Sequence, residues 1–434
     1  MHRKTNSQWD SNSDMRGSVW HSTSVMKYNI ICQNLEYVLS LVKGNAVDML
    51  AVEPQFAPVS TREQWLDRHL ERLCTTLELT PTQFRDAESK YQAVGKWLAA
   101  PESSLAVFAP EVYPQGSMLL GTTVRPWRGL EYDLDLVCQL HWCADQPPME
   151  VYGWVEDRLA SHETYHQMLK ELKRCLRLDY AGDFHLDILP ACPNDSVGNG
   201  SIIVPDCKLE RWVHSNPKGF AAWFLEKCQL RDMLAERMLM KKIEPLPSPV
   251  PSEYKFPLQR VLQLMKRHRD LFFDGGRDIA RSVILTTLAG HFYGGQRSLS
   301  RALEAVLDQI HSASAAVNGV PRIENPVHSG ENFADTWNEA RFDRFKQYIV
   351  NFRNEIKLLL HPPATEERMG LEKSANRLGG LFGAAEVKEA LRLEAKELNE
   401  RRDSKRLAIT GFGGLTTAGS IASVPVRPNH FFGR

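Results

Sequence analysis

Residues 113–137 read YPQGSMLLGTTVRPWRGLEYDLDLV, and this stretch decides what kind of fold the chain can adopt. Asp133 and Asp135 alternate with Leu134 and Leu136, so a period of two places both carboxylates on one face of a strand and the leucines on the other. Crowding like charges costs on the order of several kcal/mol unless cations compensate them. A third carboxylate, Asp187, occupies an almost identical setting in FHLDILPA, residues 184–191, where a neighbouring strand can add it to the cluster. Three carboxylates on a sheet face suit a pair of Mg²⁺ ions, with Mn²⁺ as the alternative. One ion lowers the pKa of an attacking hydroxyl, and the other holds a triphosphate and its leaving pyrophosphate.

The front of the same stretch supplies the complementary half. Gly116 and Ser117, preceded by Gln115, form a turn where backbone N–H groups approach phosphate oxygens closely and a hydroxyl donates to them. Either element alone is common: Gly-Ser occurs in many turns, and alternating aspartates also occur in Ca²⁺ loops or on edge strands facing water. Apolar flanks on both sides of each Asp argue against an exposed edge.

Around this nucleus lies an ordinary globular composition. The chain has 434 residues, 43% hydrophobic and 24% charged, with Lys+Arg 53 balanced by Asp+Glu 53. Length alone suggests about three domains or two fused lobes. Zero net charge argues against long nucleic acid as a partner. The eight cysteines show no CxxC pair and read as reduced thiols, and His141, Cys143, His185 and Cys207 lack the spacing of a zinc site. No apolar run reaches the roughly 18 residues of a membrane span, and no signal-peptide core is present, so a cytoplasmic setting without membrane attachment is expected.

Along the chain, residues 1–48 read as a disordered or dispensable extension. A capped helix is expected from Ser60, and a second helix from about Thr80 to Leu98. Strand-like runs follow in LAVFAPEVY, LEYDLDLVCQL and FHLDILPA, with one long helix from Met149 to about Leu178 between the last two. This defines an α/β lobe with a small mixed sheet over residues 49–215. Residues 216–402 read as a helical lobe, carrying apolar stripes in PLQRVLQLMKRHRDLFF, ARSVILTTLAGHFY and SLSRALEAVLDQIHSA. Proline-rich Glu244–Tyr254 reads as an extended connector, Ser215–Pro217 as a helix cap, Trp337 as a core anchor and Arg401–Arg406 as a solvated helix end. Residues 403–434 read as a flexible tail.

These motifs in this order, QGS(x)₃GT, EYDLDLV, FHLDILPA, WVHSNPKGFAAWF and FPLQRVLQLMKRHRD, resemble the polymerase-β-like nucleotidyltransferases. In particular they resemble the bacterial CD-NTases, relatives of cyclic GMP-AMP synthase that make cyclic oligonucleotide messengers in anti-phage (CBASS) defence. The likeness spans residues 60–434 and implies an α+β fold, a polymerase-β-like catalytic lobe packed against a mostly helical C-terminal lobe. It implies a cyclic di- or trinucleotide product made from ATP, GTP or other nucleoside triphosphates, and a downstream effector that the product activates. It assigns Asp133, Asp135 and Asp187 to metal and catalysis, and Gln115, Gly116, Ser117, Lys266, Thr286 and Thr287 to nucleotide, with Asp187 best placed to assist proton removal. Lys266 also reads as a solvated helix charge beside a partly solvated Arg267-His268-Arg269, and both threonines as packing residues. Tyr293 suits base stacking or core packing equally.

The resemblance further implies a ubiquitin-transfer-like enzyme that conjugates the tail through a small terminal residue. This chain ends Gly433-Arg434, so either Arg434 is trimmed first or conjugation does not occur. The competing readings are a polymerase-β-like enzyme that modifies RNA, a protein or a small molecule, and a nucleotide-binding scaffold without turnover.

Overall fold

The computed structural model of the protein describes residues 61–128, 131–180, 184–228, 243–274, 276, 279–363, 371–410, 415–417 and 423–425. The N-terminal extension, Gly433 and Arg434 lie outside the described residues. In chain order, α1 (Thr61–Leu77) and α2 (Pro81–Leu98) lead to β1 (Glu111–Pro114), the short α3 (Gly116–Leu120) and β2 (Tyr132–Gln139). Next come α4 (Pro148–Ala160), α5 (Glu163–Met168), β3 (Leu169–Glu171), β4 (Leu176–Tyr180), β5 (Phe184–Pro193), β6 (Ile202–Asp206) and β7 (Arg211–Ser215). The helical part comprises α6 (Pro217–Lys227), α7 (Pro257–Phe273), α8 (Ser282–Phe292), α9 (Leu299–Ala316), α10 (Glu339–Leu360), α11 (Leu371–Phe382) and α12 (Ala384–Asp403). A hairpin of β8 (Glu324–Asn325) and β9 (His328–Asn332) interrupts it, and β10 (Leu407–Thr410), β11 (Leu415–Thr417) and β12 (Ser423–Pro425) close the chain.

The sheet runs β1-β2-β5-β4-β3, with β6 and β7 continuing from β5; β2 and β5 are parallel and the other pairs antiparallel. Its alternation is two-sided. Leu134, Leu136, Leu176, Leu178, Leu186 and Ile188 are buried in one core with Tyr91 and Val94 of α2 and Val155 and Leu159 of α4. The residues between those leucines therefore point to the other face, and that face carries the chemistry. α2 starts where expected and opens on a capping box: Thr80 Oγ1 accepts from Gln83 N at 3.2 Å while Gln83 Oε1 accepts from Thr80 N at 3.0 Å.

Several expectations need correction. α1 packs against α7, α9 and α12, so it belongs to the helical core although chain order placed it with the catalytic lobe. The expected long helix is two, α4 ending at Ala160 and α5 at Met168, and it does not reach Leu178, because Leu176 and Leu178 alternate with Arg177 and Asp179 and bury as a strand. LAVFAPEVY forms a strand only from Glu111, after a 3₁₀ turn at Ala106–Phe108. Where the tail is described, β10 pairs with both β11 and β12 as a small sheet. Cys143 and Cys192 form a disulfide with Cα atoms 5.9 Å apart, against the all-thiol expectation. The chain leaving β2 keeps company with the end of β5, Leu140 N donating to Ala191 O, and this brings the two sulfurs together. No helix among the described residues is long and apolar enough to cross a membrane.

Candidate active site

Strand register builds the site as two rungs on the polar sheet face. Asp133, His185 and Asp179 are cross-strand neighbours on β2, β5 and β4, and Asp135, Asp187 and Arg177 form the next rung. The three predicted aspartates are thus brought together by pairing alone. Arg177 bridges two of them: its Nε donates to Asp187 Oδ1 at 2.6 Å, and its Nη2 to Asp187 Oδ2 at 2.8 Å and Asp133 Oδ1 at 3.1 Å. His185 Nδ1 lies 3.3 Å from Asp133 Oδ1, and its Nε2 contacts Glu131. Burial, reinforced by Asp133 and Asp187, pushes the Asp135 carboxyl up to about 7.

The Gly-Ser turn faces this cluster. Gln115 N donates to Asp135 O at 2.9 Å, anchoring the turn to β2. Gly116 has φ +64° and a Cβ there would sit 2.2 Å from Asp135 Oδ2, so both backbone conformation and space require glycine. The opening N–H groups of α3 have no partner within the helix. Ser117 Oγ, which accepts from Thr123 Oγ1 at 3.4 Å, stands beside them.

Lys266 reaches the same turn from α7. It is buried, not solvated, and its Nζ donates to Thr122 O at 2.9 Å and Thr122 Oγ1 at 3.0 Å. Burial first, then the charge of Arg269, lowers its pKa to about 7. Arg267 and His268, expected to be partly solvated, are also buried, Arg267 donating to Arg125 O and pairing with Glu386. Thr286 lines the cleft, though its hydroxyl donates to Ser282 O; Thr287 donates to Val283 O and is not among the lining residues. Tyr293 packs on the helical core with its hydroxyl donating to Gln296 O.

A cleft of about 850 Å³ joins these parts, with Gln115, Gly116, Ser117, Asp133, Asp135 and Lys266 in its wall. Arg177 lines it and Asp187 does not, so Arg177 covers Asp187, both of whose oxygens it engages. The proton-accepting role suggested for Asp187 therefore requires Arg177 to move. Sequence reasoning missed Arg177, Glu131 and the place of His185. The signal was present in LRLDY, residues 176–180, whose alternation repeats that of EYDLDLV. Of the residues considered for zinc, His141 pairs with Glu111, Cys143 is in the disulfide, and His185 belongs to the acidic face.

The donor set fits a hard divalent cation. Its oxygens are carboxylates, burial first and then the charges of Asp133 and Asp187 raise the Asp135 pKa, and Arg177 supplies compensating charge to Asp133 and Asp187. Glu131, Asp179 and His185 also present ligand atoms within 4.8 Å of one another on the adjoining rung.

A family model described as the Second Messenger Oligonucleotide or Dinucleotide Synthetase domain matches residues 65–227. A c-di-GMP synthase of Roseivirga ehrenbergii is 33% identical over 384 residues, covering 86% of this chain and 99% of that relative. Cyclic dinucleotide synthase CdnG of Bradyrhizobium diazoefficiens is 27% identical over 384 residues, 81% of this chain and 88% of that relative. Among solved structures, the B. diazoefficiens CD-NTase CdnG in complex with GTP aligns at TM-score 0.58 and 26% identity over 76% of this chain and 98% of that one. Escherichia coli CdnC with ATP aligns at TM-score 0.54 and 13% identity over 73% and 97%, a likeness of fold.

Proposed function

The chain belongs to the bacterial CD-NTase family of nucleotidyltransferases, and from that premise we propose that it joins nucleoside triphosphates, GTP first among them, into a cyclic dinucleotide that signals in anti-phage defence. The observation that carries this reading is the convergence, in one cleft, of the Gly116-Ser117 turn and Lys266 with the Asp133 and Asp135 carboxylates. The choice of GTP draws on the relatives, one named a c-di-GMP synthase and one solved with GTP.

Asp133, Asp135 and Asp187 would hold Mg²⁺, which when bound lowers the pKa of a ribose hydroxyl and neutralises phosphate charge. The chain's own groups bind and orient. The N–H groups at the start of α3 and the Ser117 hydroxyl receive the donor's phosphate oxygens, and Lys266 adds positive charge behind the turn. The hydroxyl oxygen of one nucleotide bonds to the α-phosphorus of the other, the bond to the bridging β-phosphate oxygen breaks, and pyrophosphate leaves. The hydroxyl proton passes to solvent. Turning the linear product within the cleft and repeating the step closes the ring.

The test incubates the full chain with four labelled ribonucleotides and Mg²⁺, treats the mixture with phosphatase and resolves survivors by chromatography and mass spectrometry. A phosphatase-resistant product that Asp133→Asn/Asp135→Asn abolishes, with the fold retained, is the expected result. Equal product from that variant would overturn the assignment. Labelled RNA or protein in place of a small cyclic product would favour a different acceptor.

A further inference from the structure

Past the acidic face and the phosphate turn, the cleft wall holds two phenylalanines and a carboxylate that the reaction scheme does not use. Phe220 of α6 and Phe333, just after β9, stand edge to face with ring centroids 5.9 Å apart at 87°. Glu331 of β9 and the buried Asn325 of β8 line the same cleft. Asn325 Nδ2 donates to Glu331 Oε2 at 2.7 Å and Asn325 Oδ1 accepts from Val327 N at 3.0 Å, so both ends of the amide are committed. Asn325 is thereby a holder that fixes the direction of the Glu331 carboxylate. Arg174 Nη1 stands 4.0 Å from Glu331 Oε1, beyond hydrogen-bond length, and its Nε is given to Asp206 at 2.9 Å. A carboxylate has about four acceptor sites, and Asn325 uses one.

We propose that Glu331 reads a guanine base, accepting from its N1–H and 2-amino group while Phe220 and Phe333 supply the apolar surface against which the ring lies. This inference rests on the nucleotidyltransferase reading above and assigns its base selectivity. Guanine presents two adjacent donors on its Watson–Crick edge, which match the two oxygens of a carboxylate. Adenine sets an acceptor nitrogen beside its amino group, and that lone pair would face the carboxylate. Uracil and cytosine likewise offer no adjacent pair of donors. Glu331 is half-buried in the cleft wall, and a site that hydrogen-bonds its ligand through such an acceptor rejects ligands that leave it unpaired far more strongly than an apolar pocket does.

The experiment is calorimetric binding of non-hydrolysable GTP, ITP and ATP analogues to the full chain in Mg²⁺, for the wild type, Glu331→Gln and Asn325→Ala, with melting temperatures as the check on folding. ITP keeps N1–H and lacks the 2-amino group. Wild type is expected to bind GTP more tightly than ITP, and ITP more tightly than ATP. Glu331→Gln, whose amide offers a donor in place of one acceptor, should shrink the GTP-to-ATP ratio at least about tenfold. Asn325→Ala, which leaves the carboxylate present and unheld, should shrink it less. Equal wild-type affinity for GTP and ITP overturns the proposal without any variant, and an unchanged ratio in folded Glu331→Gln overturns it as well. Failure of the wild type to bind any of the three would remove the nucleotidyltransferase reading, and the base assignment with it.

Discussion

Arg177→Met removes the cation on which the acidic rungs rest in the metal-free protein, and the structure sets the size of the effect. Arg177 makes two hydrogen bonds to Asp187 at 2.6 and 2.8 Å and one to Asp133 at 3.1 Å. Removing one partner of a fully buried ion pair costs roughly 3–5 kcal/mol. Here the Arg177 side chain is 23% exposed and that of Asp187 13%, so solvent takes a share and the expected loss is about 2 kcal/mol. Methionine keeps the apolar stem, which isolates the charge. In EDTA, the variant should therefore melt a few degrees below wild type. The same contact opposes entry of a metal, because Arg177 covers Asp187 and must leave it for the cation to reach that carboxylate. Its removal should tighten Mn²⁺ binding by up to about 30-fold, the equivalent of about 2 kcal/mol. Differential scanning calorimetry in EDTA and titration calorimetry with Mn²⁺ measure the two effects. A variant as stable as wild type without metal, or one with unchanged or weaker Mn²⁺ affinity, refutes the idea that Arg177 compensates the carboxylates by standing in the cation's place.

Two further outcomes follow from the same geometry. Asp135 has a folded pKa of about 7 against an ordinary value of 3.8, so between those values the metal-free native state holds a proton that the unfolded chain has released, and stability falls as pH rises through that window. Asp135→Asn lacks this proton, and its unfolding midpoint in EDTA should gain on the wild type from about pH 4 to about pH 7 and level off above; a constant difference across that range refutes the shift. Gly116→Ala forces a side chain into a left-handed turn, costing roughly 1–2 kcal/mol, and drives its Cβ against Asp135. It should lose both GTP binding and product formation while keeping its circular dichroism spectrum, and near-normal turnover would remove Gly116 from the site.

How much of this was legible in the sequence depends on whether burial ran along one periodicity. β2 and β5 bury their leucines on one face, so the alternation in EYDLDLV and FHLDILPA gave both the strands and the facing of Asp133, Asp135 and Asp187. β4 carries the same alternation in LRLDY but follows α4 and α5 closely, and the helical pattern before it hid the change of period. With β4 hidden, Arg177 stayed hidden too, and so did the charge balance of the site. α7 misled in the opposite direction. Its apolar stripe predicted a helix with a solvated polar side, whereas Gln259, Gln263, Lys266, Arg267 and His268 are all buried. Hydrophobic periodicity cannot reveal polar residues buried by specific partners, because the partners come from residues more than a hundred positions away.

Those partners explain why α7 tolerates such burial. Gln259 donates to Leu120 O, Gln263 to Thr123 O, Lys266 to Thr122 O and Arg267 to Arg125 O, at 2.8 to 2.9 Å. The positions i, i+4, i+7 and i+8 form one helical face, and the carbonyls they satisfy belong to the segment that follows the phosphate turn. The bonds to Leu120, Thr122 and Thr123 meet buried acceptors that would otherwise carry a desolvation penalty, so helix and segment stabilise one another in this form. The turn is therefore held from two directions, by Gly116 against Asp135 of the sheet and by α7 from the helical core. A shift of α7 along its axis would break this row of bonds before it disturbed the apolar packing. That is the physical sense in which β2 and a helix about 130 residues further along build one wall of the cleft.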